Sequence, residues 1–110
     1  MTHPNKEKGN SYENGFLTRM QRIGATKIHR NYGSIGTMDV SWTDVLGQKH
    51  EAQLKFSSLK LPKVSRTYFD NLIEYAYRMK KKNTKCWLIC KCSRLSKSKD
   101  RDREVWIPLN

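Results

Sequence analysis

The sequence predicts an α/β fold in which a mixed central β-sheet of about five strands is flanked by two helices. Two segments carry apolar residues at helical spacing, and five shorter segments show the alternation or the apolar run of a strand. These segments follow one another as helix, three strands, helix, two strands. A length of 110 residues fits a single domain, residues 1–110, because chains of this size rarely divide into two.

The first helix is predicted to begin at Asn10 or Ser11, since both are good N-cap residues. It runs to Ile23, where Gly24 suits the left-handed conformation that commonly ends a helix. The polar residues before it, 1–8, are expected to form a flexible N-terminus.

The second helix is predicted from Ser65 to about Lys82. Its apolar surface is wider than one stripe, which indicates that one face covers the sheet and another contacts a second subunit or base and sugar surfaces. The run from Lys80 to Lys82 lies in the last turn, where the helix dipole favours cations. A structural role and a phosphate contact are equally compatible with that run.

The strands are predicted at residues 25–31, 37–45, 50–57, 86–92 and 104–109. The second and third form a hairpin around a turn at residues 46–49. A charged segment without periodicity, residues 94–103, is expected to be a mobile loop before the last strand. Pro108 marks that last strand as an edge of the sheet, because proline has no N–H to donate to a neighbouring strand.

The charge predicts a polyanionic partner. The chain has 22 Lys and Arg against 10 Asp and Glu, a formal net charge of +12, so nucleic acid is the leading partner. No segment approaches the ~20 apolar residues of a membrane-spanning helix, and neither helix has the faces of an interfacial one, so no membrane partner is expected. The N-terminal residues lack the apolar centre of a signal peptide, which predicts an intracellular, cytoplasmic protein.

Cysteine and histidine side chains give weaker signals. Cys86, Cys90 and Cys92 share one strand, without a second pair that could complete a tetrahedral zinc site. They are therefore expected to be reduced and partly buried. His29 and His50 could act as general bases, but a single strand histidine is more often structural or exposed.

The predicted hairpin places its polar residues on one face. Apolar side chains occupy even positions of both strands: Met38, Val40, Trp42, Ala52, Leu54 and Phe56. If these share the core face, an antiparallel register pairs odd with odd, so Asp39 lies opposite or diagonal to Gln53 and Lys55, within ~5 to 8 Å. An ordinary solvated sheet face would show the same alternation, so the pattern alone leaves both interpretations open.

Glu13 favours a functional interpretation of that face. On the first helix it lies on the same side as Leu17 and Met20, where an unpaired carboxylate would be costly. A first-turn acid favoured by the helix dipole is one explanation. A third oxygen ligand beside the hairpin, completing a hard-cation site of the Mg²⁺ type with Asp39 and Gln53, explains more, and we favour it.

The chain resembles the PD-(D/E)xK nucleases, and within them the archaeal Holliday-junction resolvases. The similarity runs from about Lys6 to the second helix. It rests on the order and spacing of a short, degenerate motif rather than on the identity of each residue. The matching positions are Lys8-Gly9, Glu13, Gly24, Arg30, Ser34, Asp39 and Gln53-Leu54-Lys55.

The resemblance implies a restriction-endonuclease-like fold and a homodimer that cuts four-way DNA junctions with Mg²⁺ or Mn²⁺; an archaeal or viral origin is compatible with it. In such a site Glu13, Asp39 and the third-strand acid hold the metal, while Lys55 orients the water or stabilises the transition state. Ser34 would contact the scissile phosphate. The residues expected to bind DNA are Lys6, Lys8, Arg30, Lys60 and Lys63.

Gln53 departs from the motif, because it replaces the acid of (D/E)-x-K. Its carbonyl oxygen can ligate a divalent cation but brings no charge, so metal affinity is expected to fall. Glu51 lies on the same face as a possible auxiliary acid, but two strand residues displace it by roughly 6.6 Å. We expect a metal-dependent, structure-selective endonuclease. The alternatives are a non-catalytic nucleic-acid-binding protein on the same scaffold and a repair or restriction-like nuclease acting on other DNA.

Overall fold

A computed structural model describes residues 4–31, 38–57, 64–93 and 102–110. Its elements are α1 (Pro4–Arg22), β1 (Thr26–Arg30), β2 (Val40–Thr43), β3 (Lys49–Ser57), α2 (Arg66–Lys80), β4 (Thr84–Ser93) and β5 (Asp102–Pro108). The strands form one sheet in the order β1-β2-β3-β4-β5. β3 and β4 are parallel, and the other neighbours are antiparallel. The predicted α/β class, mixed sheet and element order are confirmed.

The two helices pack on opposite faces of the sheet. The α1 core contains Tyr12, Phe16, Met20, Ala25, Val40, Trp42, Ala52, Leu54 and Ile89. The α2 core contains Met38, Ala76, Cys86, Leu88, Cys90 and Leu109. Because successive strand residues point to opposite faces, the even positions of β3 face α1 and its odd positions face α2.

The parallel pair requires a crossover, and α2 provides it. Ser65 is the N-cap of α2, since its side chain accepts a hydrogen bond from the Tyr68 backbone N–H. The helix ends at Lys80, close to the predicted end. This crossover brings the start of α2 above the far end of β3.

The β2–β3 hairpin has the predicted antiparallel register. Ser41 pairs with Glu51 and Val40 with Ala52, so odd positions lie opposite odd positions. Its turn is closed by Asp44, whose Oδ1 accepts the backbone N–H groups of Leu46 and Gln48 at 2.9 and 3.0 Å. A side-chain oxygen that caps its own turn in this way makes the hairpin locally stable.

The starts of α1 and β5 differ from the predictions. α1 begins at Pro4, so Asn10 is inside the helix and the predicted N-cap is wrong; proline suits the first helical position, where its missing N–H is not needed. α1 thus includes residues 4–8 of the segment expected to be flexible. β5 begins at Asp102, inside the predicted loop, and the rest of that loop, 94–101, lies outside the described residues.

The alternation predicted that Met38 and Val40 share a face of the sheet, and this prediction is wrong. Met38 belongs to the α2 core and Val40 to the α1 core. The chain bends at Asp39 and β2 begins only at Val40. The regular alternation therefore stops at Asp39, and this residue lies at the boundary between the two faces.

The cysteines within the described side chains are free and buried. Cys86 and Cys90 face the α2 core, as expected for strand thiols. Burial raises the pKa of both, that of Cys86 to about 12, which keeps them protonated and unreactive. Among the described residues, no helix is long and apolar enough to cross a membrane.

Candidate functional site

The candidate site begins where β2 and β3 separate. The hairpin ladder ends at the pair Val40 and Ala52, whereas β3 continues to Ser57. The backbone N–H of Leu54 donates instead to Oδ2 of Asp39, at 3.0 Å. The carboxylate thus replaces a strand partner that the hairpin no longer supplies, and it is held at the edge of β3.

Asp39 is surrounded by the other hairpin candidates. The Gln53 side chain hydrogen-bonds to its carboxylate, and the positive charges of Lys55 and Arg30 lie close enough to act on it. Burial raises the pKa of Asp39, and this effect outweighs the lowering by the Leu54 N–H, Lys55, Gln53 and Arg30. The structure therefore brings Asp39, Gln53 and Lys55 together.

Glu13 reaches the same site from α1. Its Oε2 forms an ion pair with Nη2 of Arg30 at 2.5 Å. Arg30 also donates from Nη1 to Oδ1 of Asn14, at 2.8 Å, so β1 holds this part of α1. Burial, followed by the negative charge of Asp39, raises the pKa of Glu13 despite the opposing effect of Arg30. A carboxylate whose ionisation is disfavoured by burial and by a second carboxylate nearby is a common feature of functional sites.

Lys55 is positioned by α2. Its Nζ lies 4.6 Å from the centroid of the Tyr68 ring, and Tyr68 is also close enough to Asp39 to be affected by its charge. Burial, followed by that charge, raises the pKa of Tyr68 to about 12. The site therefore draws residues from α1, β1, the start of β2, β3 and α2.

A groove of about 400 Å³ opens beside these residues. It lies between β3 and the exposed side of α2, and its walls include Met38, Gln53, Tyr68, Asn71, Tyr75 and Arg78. The groove gives solvent, and any ligand of similar width, a direct approach to the Gln53 amide.

Glu51 lies on the predicted face of β3 but does not join Asp39. Its Oε1 accepts a hydrogen bond from the Tyr75 hydroxyl at 2.8 Å, and its side chain lines a different cleft. Within the described ranges, no group of three or more His, Cys, Asp or Glu side chains could hold a metal ion. The oxygen donors at the site are therefore two carboxylates, Glu13 and Asp39, and the Gln53 amide. Hard oxygen donors of this kind fit Mg²⁺ or Mn²⁺.

The remaining candidates are placed as follows. Lys6 and Lys8 belong to α1, but their side chains are outside the described part of the structure. Ser34, Lys60 and Lys63 lie outside the described residues. Arg30, which was also expected to contact DNA, lies in the site and is paired with Glu13.

His50 is part of a network that the sequence did not predict. The Trp87 indole N–H donates to Nδ1 of His50 at 3.0 Å, and Nε2 of His50 lies 2.8 Å from Oδ2 of Asp44. Because an indole nitrogen only donates, Nδ1 must accept and Nε2 must carry the hydrogen that reaches Asp44. Both ring nitrogens are thus engaged, and the ring also stacks on Trp42. This makes His50 a structural link, whereas His29 is exposed.

Comparison with known proteins supports the fold. No protein-family model matches the chain, and a search of curated proteins gives no match. Among solved structures, the chain is similar to Archaeoglobus fulgidus Hjc, a Holliday junction resolvase from an archaeal hyperthermophile. The similarity has a TM-score of 0.65 with 12% identity, and it covers 93% of this chain and 73% of the other. At this identity the similarity establishes a shared fold.

Proposed function

We propose that this protein is a metal-dependent, structure-selective endonuclease of the PD-(D/E)xK type that resolves four-way DNA junctions. One observation carries the proposal: Glu13 of α1, Asp39 at the start of β2, and Gln53 and Lys55 of β3 lie close together at the open end of the hairpin. The fold shared with a Holliday junction resolvase supports the same activity, and the net charge of +12 suits a DNA substrate.

The proposed metal ligands are the Glu13 and Asp39 carboxylates and the Gln53 amide oxygen. A bound Mg²⁺ or Mn²⁺ would supply positive charge at the scissile phosphate and lower the pKa of a water. Two of the proposed ligands are held in position by contacts within the chain, since the Leu54 N–H donates to Asp39 and Arg30 pairs with Glu13. An ionised carboxylate only accepts hydrogen bonds, so Gln53 donates to Asp39 through its NH₂ group, which leaves its carbonyl oxygen for the metal.

Lys55 is proposed to stabilise the transition state of cleavage electrostatically. Its ammonium would donate to a non-bridging oxygen of the phosphate as negative charge develops during cleavage. Ser34 is proposed to contact the same phosphate. Lys6, Lys8, Lys60 and Lys63 are proposed to bind the DNA backbone, which requires cations but little geometric precision.

A homodimer would provide two such sites for two symmetrical cuts. Exposed apolar residues on α2 support a second subunit there, because Ile73 and Tyr77 are 37% and 67% exposed. Apolar side chains grouped on one helix face commonly mark an interface. A protein that acts on cellular DNA junctions would work inside the cell.

A non-catalytic junction-binding protein is the second candidate. The observation that favours it is the neutral donor at Gln53, which leaves two carboxylates where the motif has three acids. Such a protein would keep its affinity for DNA and show no metal-dependent cleavage. A nuclease with the same site but a preference for linear or forked DNA is the third candidate.

Incubation of the purified protein with a labelled four-way junction tests these candidates. We expect symmetrical cleavage that requires Mg²⁺ or Mn²⁺ and exceeds cleavage of forked and linear duplexes. Asp39→Asn and Glu13→Gln should each reduce the rate at least about a hundredfold, as expected for loss of a metal ligand. Asp70→Asn is the control, since Asp70 is an exposed carboxylate on α2 outside the site. Equal cleavage by wild type and Asp39→Asn would contradict the proposal.

A further inference from the structure

A second cleft opens on the α2 side of the sheet, next to the candidate site. Its volume is about 430 Å³, and its walls include Lys27, Ser41, Thr43, Lys49, Glu51 and Lys82. α2 covers Cys86, Leu88 and Cys90 of β4 and leaves this part of β1, β2 and β3 open. The strands present polar side chains there, Ser41, Thr43, Lys49 and Glu51, and Met79 of α2 also lines the cleft.

Three lysines reach this cleft from three separate elements. Lys27 belongs to β1, Lys49 begins β3, and Lys82 follows the end of α2. Glu51 also lines the cleft, but it already accepts the hydrogen bond of Tyr75. Three lysines against one engaged carboxylate make the lining of the cleft positive overall, which suits an anionic ligand.

Lys27 has an unusual backbone conformation that turns it toward this cleft. Between the pairs Thr26–Thr43 and His29–Ser41, β1 has one more residue than β2, so Lys27 and Ile28 both stand opposite Trp42. Ile28 packs against the α1 core, while Lys27 lines the cleft with φ of 51°. A lysine in the left-handed region is uncommon, and bulges of this kind often redirect a side chain near a functional site.

The cleft is connected to the candidate site by direct contacts. Asn31 lines the cleft and donates its backbone N–H to the Asp39 carbonyl at 2.8 Å. Tyr75 lines the groove beside Gln53 and donates to Glu51 of the cleft. Lys49 and Gln53 are four residues apart on β3, a distance of about 13 Å. One ligand strand could therefore occupy both places.

We propose that the cleft formed by Lys27, Lys49 and Lys82, the lysine cleft, binds a backbone phosphate of the DNA strand that enters the site. Because the rise along the helix axis is about 3.4 Å per nucleotide of one strand, 13 Å corresponds to at most about four nucleotide steps, and to fewer where the strand runs obliquely to that axis. The bound phosphate thus lies roughly two to four steps from the proposed cut. Only this position relative to the cut rests on the proposed function; phosphate binding by the cleft does not.

The salt dependence of junction binding tests the cleft without requiring cleavage. Binding is measured in EDTA by fluorescence anisotropy, over a range of NaCl concentrations, for Lys27→Gly, Lys49→Ala and Lys82→Ala. Glycine is chosen at position 27 because it adopts φ of 51° without strain. Each substitution should weaken binding about threefold to tenfold and lower the slope of log K against log [NaCl] by about one.

Lys91→Ala is the matched control, because Lys91 lies on the α1 side of the sheet, over the Tyr12 ring at 5.3 Å. It should leave the slope closer to that of wild type than any lysine-cleft variant does. Slopes for all three cleft variants equal to that of Lys91→Ala would overturn the proposal. Because three independent variants are measured, misfolding of one does not prevent a decision.

A methylphosphonate scan locates the phosphate. Each backbone phosphate of one junction arm is replaced in turn by a neutral methylphosphonate, and the loss of affinity is compared between wild type and Lys49→Ala. Neutralising a phosphate that the cleft holds should weaken junction binding by wild type. The same replacement should weaken binding by Lys49→Ala by a factor about threefold or more smaller. The absence of any such phosphate would overturn the proposal. If wild type binds in this way but never cuts DNA, the proposed function fails and the cleft stands.

Discussion

The ammonium group of Lys55 lies 4.6 Å from the centre of the Tyr68 ring. A lysine side chain has four rotatable bonds, and a cation held over an aromatic face loses much of that freedom. The backbone of Tyr68 is held at the start of α2, because its N–H donates to the Ser65 side chain. The position of the proposed catalytic amine on β3 therefore depends on how the first turn of α2 docks.

Replacing Tyr68 should slow cleavage, because its ring positions the Lys55 ammonium group. Tyr68→Leu removes the ring and should slow single-turnover cleavage about threefold to tenfold, because a cation–π contact is worth about 0.5–2 kcal/mol. Tyr68→Phe keeps the ring and should retain nearly the wild-type rate. If the Phe variant were as slow as the Leu variant, the hydroxyl rather than the ring would be the functional group, and this account of Lys55 would be wrong.

Asp39 should lower the stability of the protein at neutral pH. Its pKa in the fold is raised chiefly by burial, so the folded state binds the proton more tightly than the unfolded chain. The free energy of unfolding therefore falls as the pH rises from the ordinary pKa to the folded one, and the loss persists above it. Asp39→Asn removes the charge and keeps an oxygen for the Leu54 N–H. It should raise the free energy of unfolding at pH 7 by about 0.5–1 kcal/mol.

Urea denaturation of wild type and Asp39→Asn between pH 3 and 8 checks this sign. The advantage of the variant should shrink as the pH falls through the raised pKa and vanish when Asp39 is protonated in both states. A variant that is less stable than wild type at pH 7 would contradict the account of Asp39 as a destabilising carboxylate.

Gln53→Glu should change stability in opposite directions with and without metal. A third carboxylate next to Asp39 adds repulsion, so the metal-free variant should be less stable than wild type. It also adds a charged ligand, so Mn²⁺ should bind at least about tenfold more tightly and raise the melting temperature more than it does in wild type. Thermal unfolding at several Mn²⁺ concentrations measures both effects. Equal Mn²⁺ responses in the two proteins would remove Gln53 from the proposed ligands.

The parts of the site that the sequence predicts are those set by local pattern. Strand alternation and a short turn place Asp39 near Gln53 and Lys55, because a hairpin register follows from which face is apolar. The same alternation predicted the wrong face for Met38, since the bend at Asp39 interrupts the period. Helix periodicity indicated the direction of Glu13. Its partner Arg30 depends on how α1 docks on β1, which no local pattern specifies.

The features that the sequence did not predict depend on contacts between distant segments. His50 meets Trp87 from 37 positions away. A structural role was the more frequent expectation for a strand histidine, but no local pattern identified this partner. The sequence gives no sign of the bulge at Lys27. Glycine is the usual residue at a left-handed position, and this position holds a lysine. A lysine there is recognisable only from its backbone angle and from the strand that pairs with it.

Glu104 provides the last test, at a carboxylate whose role is structural. It accepts hydrogen bonds from Tyr12 at 2.8 Å, from Arg19 at 2.7 Å and from Trp106 at 2.7 Å. Burial raises its pKa, but these hydrogen bonds outweigh burial, so its pKa is lowered overall. Its stabilising contribution is therefore present above the ordinary pKa of the group and lost as the pH falls through the lowered one, opposite to the behaviour of Asp39.

Glu104→Gln should reduce the free energy of unfolding at pH 7 by about 1–2 kcal/mol, an amount that allows for the partial exposure of Arg19. The difference from wild type should shrink in acid, where wild-type Glu104 becomes protonated. Asp70→Asn is the control, because its 4.0 Å ion pair with Arg66 is exposed and should contribute less than about 0.5 kcal/mol. Equal losses for the two variants would mean that the hydrogen bonds between α1 and Glu104 of β5 do not stabilise the fold, and the docking of α1 that carries Glu13 would then rest on its apolar core and on the contacts of Arg30 with Glu13 and Asn14.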